Sequence, residues 1–241
     1  MKHLKLFGTA MVLGLAFLFQ SCDDNDGYSI GDIGRDYVTT HVDSQGTVTF
    51  TGDSWGTMWV TSPIYPVAIK EGQRAVMYFN PLYDNFQGYD VAVQVEDLIP
   101  ILTKDVEELT EENEAEYGDD PVRVTDAWIG GGYMNLIFAQ RIPASKPHRV
   151  SLVMDTTDED VQDGYVHLEY RYNTYGDTLS SRQIMGAVSY NLNTLDMADK
   201  KGIKMRINSA VNGERVLTFD TKQQPTPKSI NEIENNSTFV K

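Results

Sequence analysis

Between residues 37 and 96, apolar and polar side chains alternate in short runs that are separated by turn residues. A period of two is typical of β-strands that bury one face and expose the other. Five such runs predict an all-β first domain, a five-stranded Greek-key barrel of the OB type over residues 37–104. The predicted strands are 37–43, 47–51, 54–60, 73–80 and 89–96.

The fourth of these runs, residues 73–80, differs from the others because apolar side chains occupy both of its faces. Arg74 is the only charged residue within it. Strands with this composition are usually covered on both sides. The run therefore predicts a strand that lies between two layers of protein.

The alternation returns after Pro121 in seven further runs, without any long helical pattern. They predict an immunoglobulin-like β-sandwich over residues 121–221. The sequence lacks the Cys…Trp…Cys core of antibody domains, so the likeness is one of architecture. The polar residues 222–241 predict a flexible tail. The predicted strands of the sandwich are 122–129, 133–139, 148–154, 165–172, 182–190, 203–210 and 214–219.

Residues 105–120 carry nine acidic side chains and no basic one. Like charges in such a block repel one another, which favours an extended chain or a short, frayed helix. The sequence therefore predicts an acidic linker between the two domains. Cation binding is the alternative interpretation, but no recognisable ligand spacing supports it.

The first 22 residues have the pattern of a bacterial lipoprotein signal. Lys2 and Lys5 precede an apolar run over residues 6–19, which is too short to span a bilayer. Ser21 and Cys22 follow, which predicts a signal peptide over residues 1–21 and acylation of Cys22. A plain signal peptide with an incidental thiol is the alternative.

Residues 22–36 predict an acidic tether between the lipid anchor and the first domain. Its acidic run, residues 23–26, directly follows Cys22 and resembles signals that export some lipoproteins to the cell surface. We therefore expect a lipid-anchored protein of the outer membrane, with the cell surface favoured over the periplasmic face. A solvated tether without a role in export is the alternative.

The charge of the chain restricts its partners. Loss of Lys2 and Lys5 with the signal peptide changes the formal net charge from −15 to −17. A protein of this charge repels nucleic acid and anionic lipid headgroups. The pI of about 4.5 also argues against nucleic-acid binding, because nucleic-acid-binding domains usually have a high pI and a basic surface patch. Nucleic acid is therefore excluded as a partner, whereas basic peptides are favoured.

Three segments, 72–76, 101–105 and above all 127–135, resemble the NigD-like lipoproteins. The likeness extends from Cys22 to about Phe219 and implies an OB domain, a C-terminal β-sandwich and an envelope location. The family has no established activity, and its name links it to bacteriocin-associated loci, which implies a role in immunity. The most specific residues of the resemblance are Trp128, Gly130, Gly131, Gly132, Tyr133 and Asn135.

The three consecutive glycines of this motif lie between two predicted strands. Glycine adopts positive φ angles without strain, so the pattern favours a tight turn. A phosphate-binding loop is the alternative. Such a loop requires a following helix and usually a lysine or hydroxyl, and the sequence offers neither.

No residues with catalytic spacing are recognisable. His41, His148 and His167 are far apart in sequence, and no metal-binding pattern or nucleophile elbow occurs. We therefore predict a protein that is not an enzyme and has no cofactor or metal. Two alternatives stay open: calcium binding by the acidic loop 155–164, and a pair of carboxylates that hydrolyses glycans.

An aromatic cluster in the first domain is the best candidate for ligand recognition, because OB barrels bind oligosaccharides through one face and its loops. Trp55 and Trp59 are predicted to share one face of a strand. Tyr83 and Phe86 are predicted to lie in an exposed loop, residues 83–88. The alternative is that both tryptophans fill the barrel core.

Two Asp-Thr pairs resemble the O-glycosylation sites of some envelope proteins. They contain Thr156 and Thr178, and both lie in predicted loops, where a glycan would be tolerated. Thr156 and Thr178 are therefore candidate glycosylation sites.

These features together predict a monomeric, non-enzymatic lipoprotein that acts as a binding or assembly module at the outer membrane. The membrane is contacted through the lipid anchor, and the expected partner is an envelope protein, a basic peptide or a glycan. The alternatives are a bacteriocin-immunity-type protein and a surface lipoprotein that binds or hydrolyses glycans.

Overall fold

The computed structural model describes residues 27–29, 31–62, 69–142, 146–155, 163–177 and 182–220. Within these ranges the chain forms fourteen strands and one short helix. Five strands close into a barrel in the N-terminal part, and the other nine form two sheets that face each other. The predicted all-β class, with an N-terminal barrel and a C-terminal β-sandwich, is confirmed.

The barrel strands are β1 (Gly34–Val42), β2 (Val48–Gly52), β3 (Gly56–Ser62), β4 (Arg74–Phe86) and β5 (Tyr89–Pro100). They are ordered β1-β2-β3-β5-β4, and β4 pairs back with β1 to close the barrel. All pairs are antiparallel except β3 with β5. The core is formed mainly by Val38, Phe50, Met58, Met77, Phe79, Val91 and Val93.

The segment 83–88, predicted as an exposed loop, is mostly strand. β4 continues to Phe86, which pairs directly with Tyr89 of β5. Only Gln87 and Gly88 form the turn, with φ angles of 52° and 90°. Two consecutive positive φ angles are typical of the tight hairpin turns that match the twist of the strands. The aromatic residues therefore lie on a β-hairpin and not in a loop.

The sandwich strands are β6 (Leu102–Asp105), β7 (Glu107–Leu109), β8 (Arg123–Gly130), β9 (Tyr133–Arg141), β10 (Arg149–Asp155), β11 (Tyr165–Asn173), β12 (Gln183–Asn191), β13 (Gly202–Ser209) and β14 (Gly213–Asp220). One sheet has the order β14-β13-β11-β10-β7 and the other β6-β12-β9-β8. The side chains between the sheets include Met134, Leu136, Phe138, Leu152, Leu168, Tyr170, Tyr190, Ile203 and Met205.

The acidic segment 105–120 differs from the predicted linker because it is part of the sandwich. β6 and β7 pair in parallel with β12 and β10, and a short helix, α1 (Glu114–Tyr117), follows. The acidic side chains reach basic partners on the sandwich: Arg149 binds Glu107 at 2.8 Å and Glu116 at 2.7 Å. Leu109 is buried, which fixes the segment in place.

The outer face of β4 packs against the sandwich, which explains why its sequence is apolar on both sides. Val76 points away from the barrel core and is almost fully buried. It belongs to a separate apolar cluster, in which side chains of both domains meet. That cluster consists of Tyr37, Val76, Ile101, Trp128, Ile137 and Ala187.

Candidate functional site

The glycine motif forms the turn between β8 and β9, and this turn lies against the barrel. Gly131 and Gly132 have φ angles of 58° and 83°, which favour glycine. A Cβ atom at Gly131 would lie 2.8 Å from Asp53 Oδ1 and 2.9 Å from Arg74 Nη1. The glycines therefore allow the sandwich backbone to approach two charged side chains of the barrel closely.

Arg74 and Asp53 form a buried ion pair beneath this turn. Nη1 of Arg74 donates to Oδ1 of Asp53 at 2.9 Å, and Nη2 donates to Oδ2 at 2.7 Å. Arg74 also donates to Thr39 at 3.0 Å and to Asn135 at 3.3 Å, and it lies over the Tyr133 ring. The Arg74 side chain has no exposed surface. The two parallel hydrogen bonds between guanidinium and carboxylate offset part of the cost of burying this pair.

Asn135 and Tyr133 complete the contact between the domains. The Ser189 hydroxyl donates to Asn135 Oδ1 at 2.7 Å, and Asn135 Nδ2 donates to the Gly130 carbonyl at 3.4 Å. The Tyr133 hydroxyl donates to the Gly72 carbonyl of the barrel at 3.0 Å. The motif therefore builds an interdomain joint, and its atoms are engaged in internal contacts.

Sequence reasoning found only half of this joint. The single charge of Arg74 within an apolar strand was the visible signal. Asp53 lies in a turn, where acidic residues are common, so nothing in the sequence marks it as the partner. The pairing depends on how the barrel strands close around one another, which the sequence pattern alone does not show.

The two tryptophans of the aromatic cluster do not share a face, which corrects the prediction from their spacing. Trp55 lies in the turn before β3 and packs edge-on against Phe79 of the barrel core at 5.2 Å. Gly56, with a φ angle of 69°, separates Trp55 from the strand. The period of two therefore does not extend back to Trp55. Trp59 lies within β3, on the opposite face from the core residue Met58.

Trp59 and Tyr83 flank Ala92 on the outer face of the barrel. Ala92 of β5 pairs with Trp59 on one side and Tyr83 on the other, and paired residues lie on the same face of a sheet. Tyr83 is 62% exposed and stacks with Phe86 at 6.1 Å and 26°. Trp59 contacts Tyr89 at 5.3 Å. We call Trp59, Tyr83, Phe86 and Tyr89 the aromatic patch.

A row of polar side chains lies beside the aromatic patch on the same face. Asn80 pairs with Gln94, which is two residues after Ala92 along β5. Asn80 Nδ2 donates to Glu96 Oε1 at 2.6 Å, and Gln94 Nε2 donates to the same oxygen at 3.2 Å. We call Asn80, Gln94 and Glu96 the polar row. Rings next to amides and a carboxylate can both stack on a ligand and bind its hydroxyl groups.

The three histidines lie in separate places. His41 is 3.3 Å from Glu71, and His167 is 3.1 Å from Asp163 on the surface. His148 is fully buried beside a cleft of about 380 Å³, between the Tyr172 hydroxyl at 2.6 Å and Asp177 at 3.3 Å. Burial raises the pKa of Tyr172, so its hydroxyl keeps its proton, and the tautomer of His148 determines which of the two groups donates the hydrogen bond. No sequence pattern predicted this buried arrangement.

Several sequence predictions fall outside the described residues, among them Cys22, Thr156, Thr178 and most of the acidic loop 155–164. Within the part of the chain that the structure describes, no three or more histidine, cysteine, aspartate or glutamate side chains are placed to hold a metal ion. Among these same residues, no helix has the length and apolar composition needed to span a membrane.

Comparison with known protein families assigns both domains. Residues 37–101 match the NigD-like N-terminal OB domain, and residues 105–221 match the NigD-like C-terminal beta sandwich domain. This chain belongs to the NigD-like family. The second match begins at Asp105, in agreement with the inclusion of the acidic segment in the sandwich.

Solved structures share the fold at low sequence identity. A protein of unknown function from Bacteroides vulgatus is 23% identical, with a TM-score of 0.71 over 84% of this chain and 95% of its own. A NigD-like immunity protein from Bacteroides caccae is 18% identical, with a TM-score of 0.57 over 81% of this chain and 100% of its own. At these identities the likeness establishes the fold alone. No curated protein matches the sequence.

Proposed function

We propose that this NigD-like protein is a non-enzymatic lipoprotein of the outer membrane that captures a ligand on the outer face of its OB domain. Cys22 provides the lipid anchor, and the three aspartates of segment 23–26 direct the protein to the cell surface. The observation that carries the proposal is the alignment of Trp59, Ala92 and Tyr83 across three strands. Because Ala92 has a small side chain, the rings of Trp59 and Tyr83 are the largest groups in this row across the three strands.

The ligand class that suits this face is a neutral oligosaccharide. The apolar face of a sugar ring can stack on Trp59 or Tyr83, while its hydroxyl groups bind the polar row. OB barrels bind oligosaccharides with the face of their second and third strands and with two loops, one of which joins their last two strands. Here that loop is the tip of the β4–β5 hairpin, which carries Phe86 and Tyr89. Rigid aromatic side chains lose little conformational entropy on binding, which favours recognition by stacking.

A glycan array probed with the full, fluorescently labelled chain tests the proposal. Tyr83→Ala and Trp59→Ala should each weaken binding of the selected neutral glycan about fivefold or more, because stacking of one ring contributes about 1–3 kcal/mol in comparable base–aromatic contacts. Tyr175→Ala, on the sandwich, serves as the matched control and should bind as the parent does. Equal binding by all four proteins, or hydrolysis of a glycan that depends on one carboxylate, would contradict the proposal.

Recognition of a basic peptide, as in bacteriocin immunity, is the second candidate function. It is supported by the formal net charge of −15 and by the likeness to a NigD-like immunity protein. An acidic protein attracts a cationic partner over long distances, and added salt weakens that attraction. Stacking of a neutral sugar should barely change with salt, so ionic strength distinguishes the two candidates.

A further inference from the structure

Two β-bulges lie on either side of the polar row on the outer face of the barrel. The pairing of β4 with β5 shifts its register twice, with Leu82 as the extra residue in β4 and Glu96 as the extra residue in β5. The pair formed by Asn80 and Gln94 lies between these two shifts. Bulges often occur beside binding sites, because the extra residue changes the direction in which a side chain points. Glu96 therefore has a position that regular pairing of the two strands would not give it.

Glu96 is exposed, but neighbouring amides hold its carboxylate in place. Asn80 Nδ2 and Gln94 Nε2 donate to the same oxygen, Glu96 Oε1, at 2.6 Å and 3.2 Å. An ionised carboxylate accepts hydrogen bonds through both oxygens and donates none. The second oxygen of Glu96 can therefore accept hydrogen bonds from the hydroxyl groups of a ligand. It offers no hydrogen bond to the carboxylate of an acidic ligand.

The distance between Glu96 and the aromatic rings suits a chain of sugars. Ala92, Gln94 and Glu96 follow one another on the same face of β5, and every second residue of a strand advances by about 6.6 Å. Glu96 therefore lies about 13 Å along β5 from the row formed by Trp59, Ala92 and Tyr83. An oligosaccharide that stacks on this row and follows β5 reaches Glu96 with a later sugar unit.

Basic side chains are few in the barrel and lie away from Glu96. Residues 34–100 contain eight acidic residues but only three lysine or arginine residues. Arg74 is buried in its ion pair, Lys70 lies before β4, and Arg35 lies on β1, two strands away from β5. Among the described barrel residues, no basic side chain forms an ion pair with Glu96. An anionic group at the polar row would therefore approach this carboxylate without a compensating positive charge.

We propose that Glu96 determines the specificity of the glycan site: it binds the hydroxyl groups of a neutral oligosaccharide and rejects oligosaccharides of uronic acids. This inference rests on the proposed capture of a glycan by the aromatic patch. A uronic acid carries a carboxylate where the neutral hexose has a hydroxymethyl group, so the two sugars have nearly the same shape. Every unit of a uronic-acid chain carries this charge, so one carboxylate lies near Glu96 wherever the chain binds along β5. Repulsion between like charges is an effective way to exclude a ligand of the same shape.

Paired hexasaccharides test the role of Glu96. The neutral hexamers of glucose, mannose and galactose, and the matching uronic-acid hexamers, are titrated into the full chain by calorimetry. The parent should bind its preferred neutral hexamer about fivefold or more tighter than the matching uronic-acid hexamer. This ratio corresponds to about 1 kcal/mol, the repulsion of two unit charges about 4 Å apart in water.

Glu96→Gln keeps an oxygen that accepts from Asn80 and Gln94 but removes the charge, so it should lower the ratio of neutral to uronic-acid binding about threefold or more. Glu111→Gln removes one exposed carboxylate from the sandwich and is the matched control for net charge. It should keep the parental ratio.

The role of Glu96 and the capture of a glycan fail in different ways. Binding of a neutral hexamer that Tyr83→Ala weakens, with the same ratio in the parent and in Glu96→Gln, would overturn the role of Glu96 and leave glycan capture intact. Tighter binding of a uronic-acid hexamer than of its neutral counterpart by the parent would also overturn that role. The absence of any binding that depends on Tyr83 would contradict the capture of a neutral glycan and the role of Glu96 together.

Discussion

At the scale of single residues, one buried charge pair supports the contact between the domains. Arg74 has no exposed side-chain surface, and Asp53 has 6%. Removal of one member of such a pair leaves the other charge buried without compensation, which costs more than the pair itself contributes. The neighbouring residues Thr39, Asn135 and Tyr133 are arranged around this pair and depend on it.

Asp53→Ala should lower the free energy of unfolding by about 3–5 kcal/mol, because Arg74 would then be buried without its carboxylate partner. Urea unfolding followed by tryptophan fluorescence measures this change. Asp53→Leu/Arg74→Met replaces both charges with apolar side chains and should recover most of the loss. A loss below about 1 kcal/mol in Asp53→Ala would show that the pair does not stabilise the joint.

Sequence patterns located the candidate binding residues but could not orient them. Trp55 and Trp59 are four residues apart, a spacing that places two side chains on one face of a continuous strand. The turn at Gly56 breaks that continuity, so Trp55 packs into the core while Trp59 faces outward. Tyr83 lies on the same outer face as Trp59 because it pairs with Ala92. That pairing depends on the register of β4 and β5, which the sequence pattern does not show.

At the scale of elements, most strands follow from the alternation of apolar and polar residues. The twelve predicted strands all occur among the described residues, and the predicted two-sided burial of β4 is explained by the sandwich beside it. β6 and β7 were missed for a physical reason. They are short, β7 is acidic, and both pair in parallel with strands far along the chain, β12 and β10. Local patterns carry no information on such distant partners.

The β8–β9 turn offers a test of how closely the two domains must approach. Gly131→Ala introduces both an unfavourable positive φ angle and a Cβ atom 2.8 Å from Asp53 Oδ1. Gly46→Ala is the matched control, because Gly46 has a φ angle of 81° and nothing within 4 Å of its Cβ position. Both variants should lose about 1–2 kcal/mol from backbone strain.

Gly131→Ala should lose about 1–3 kcal/mol more than Gly46→Ala, because its Cβ also displaces the charged pair. Thermal unfolding of both variants in the same buffer measures the difference. Equal losses of stability in the two variants would mean that a side chain at position 131 does not displace Asp53. The glycine motif would then be needed only for the local turn.

At the scale of the whole molecule, the two domains share an apolar cluster, and a turn of the sandwich covers a buried ion pair of the barrel, so the proposed binding face of the barrel is held on a larger scaffold. β1 begins at Gly34, three residues before the predicted start of the barrel, and the chain before it connects that scaffold to the proposed lipid at Cys22. Several acyl chains on one cysteine give stable membrane attachment, since each buried methylene contributes about 0.8 kcal/mol.

Cys22→Ala should therefore release the protein from the outer-membrane fraction or leave its signal peptide uncleaved. Fractionation of the native host, followed by immunoblotting, measures both results. Protease treatment of intact cells determines whether the parent faces the surface. A variant that is processed and fractionates like the parent would contradict lipid attachment at Cys22.

A pull-down from native envelopes at low and high salt tests the proposed capture of a neutral glycan by the outer face of the OB domain. The parent chain and Tyr83→Ala serve as paired baits. We expect to recover a glycan that the parent retains at both salt concentrations and that Tyr83→Ala loses. Recovery of a basic protein only at low salt, equally with both baits, would contradict it and support immunity-type recognition instead.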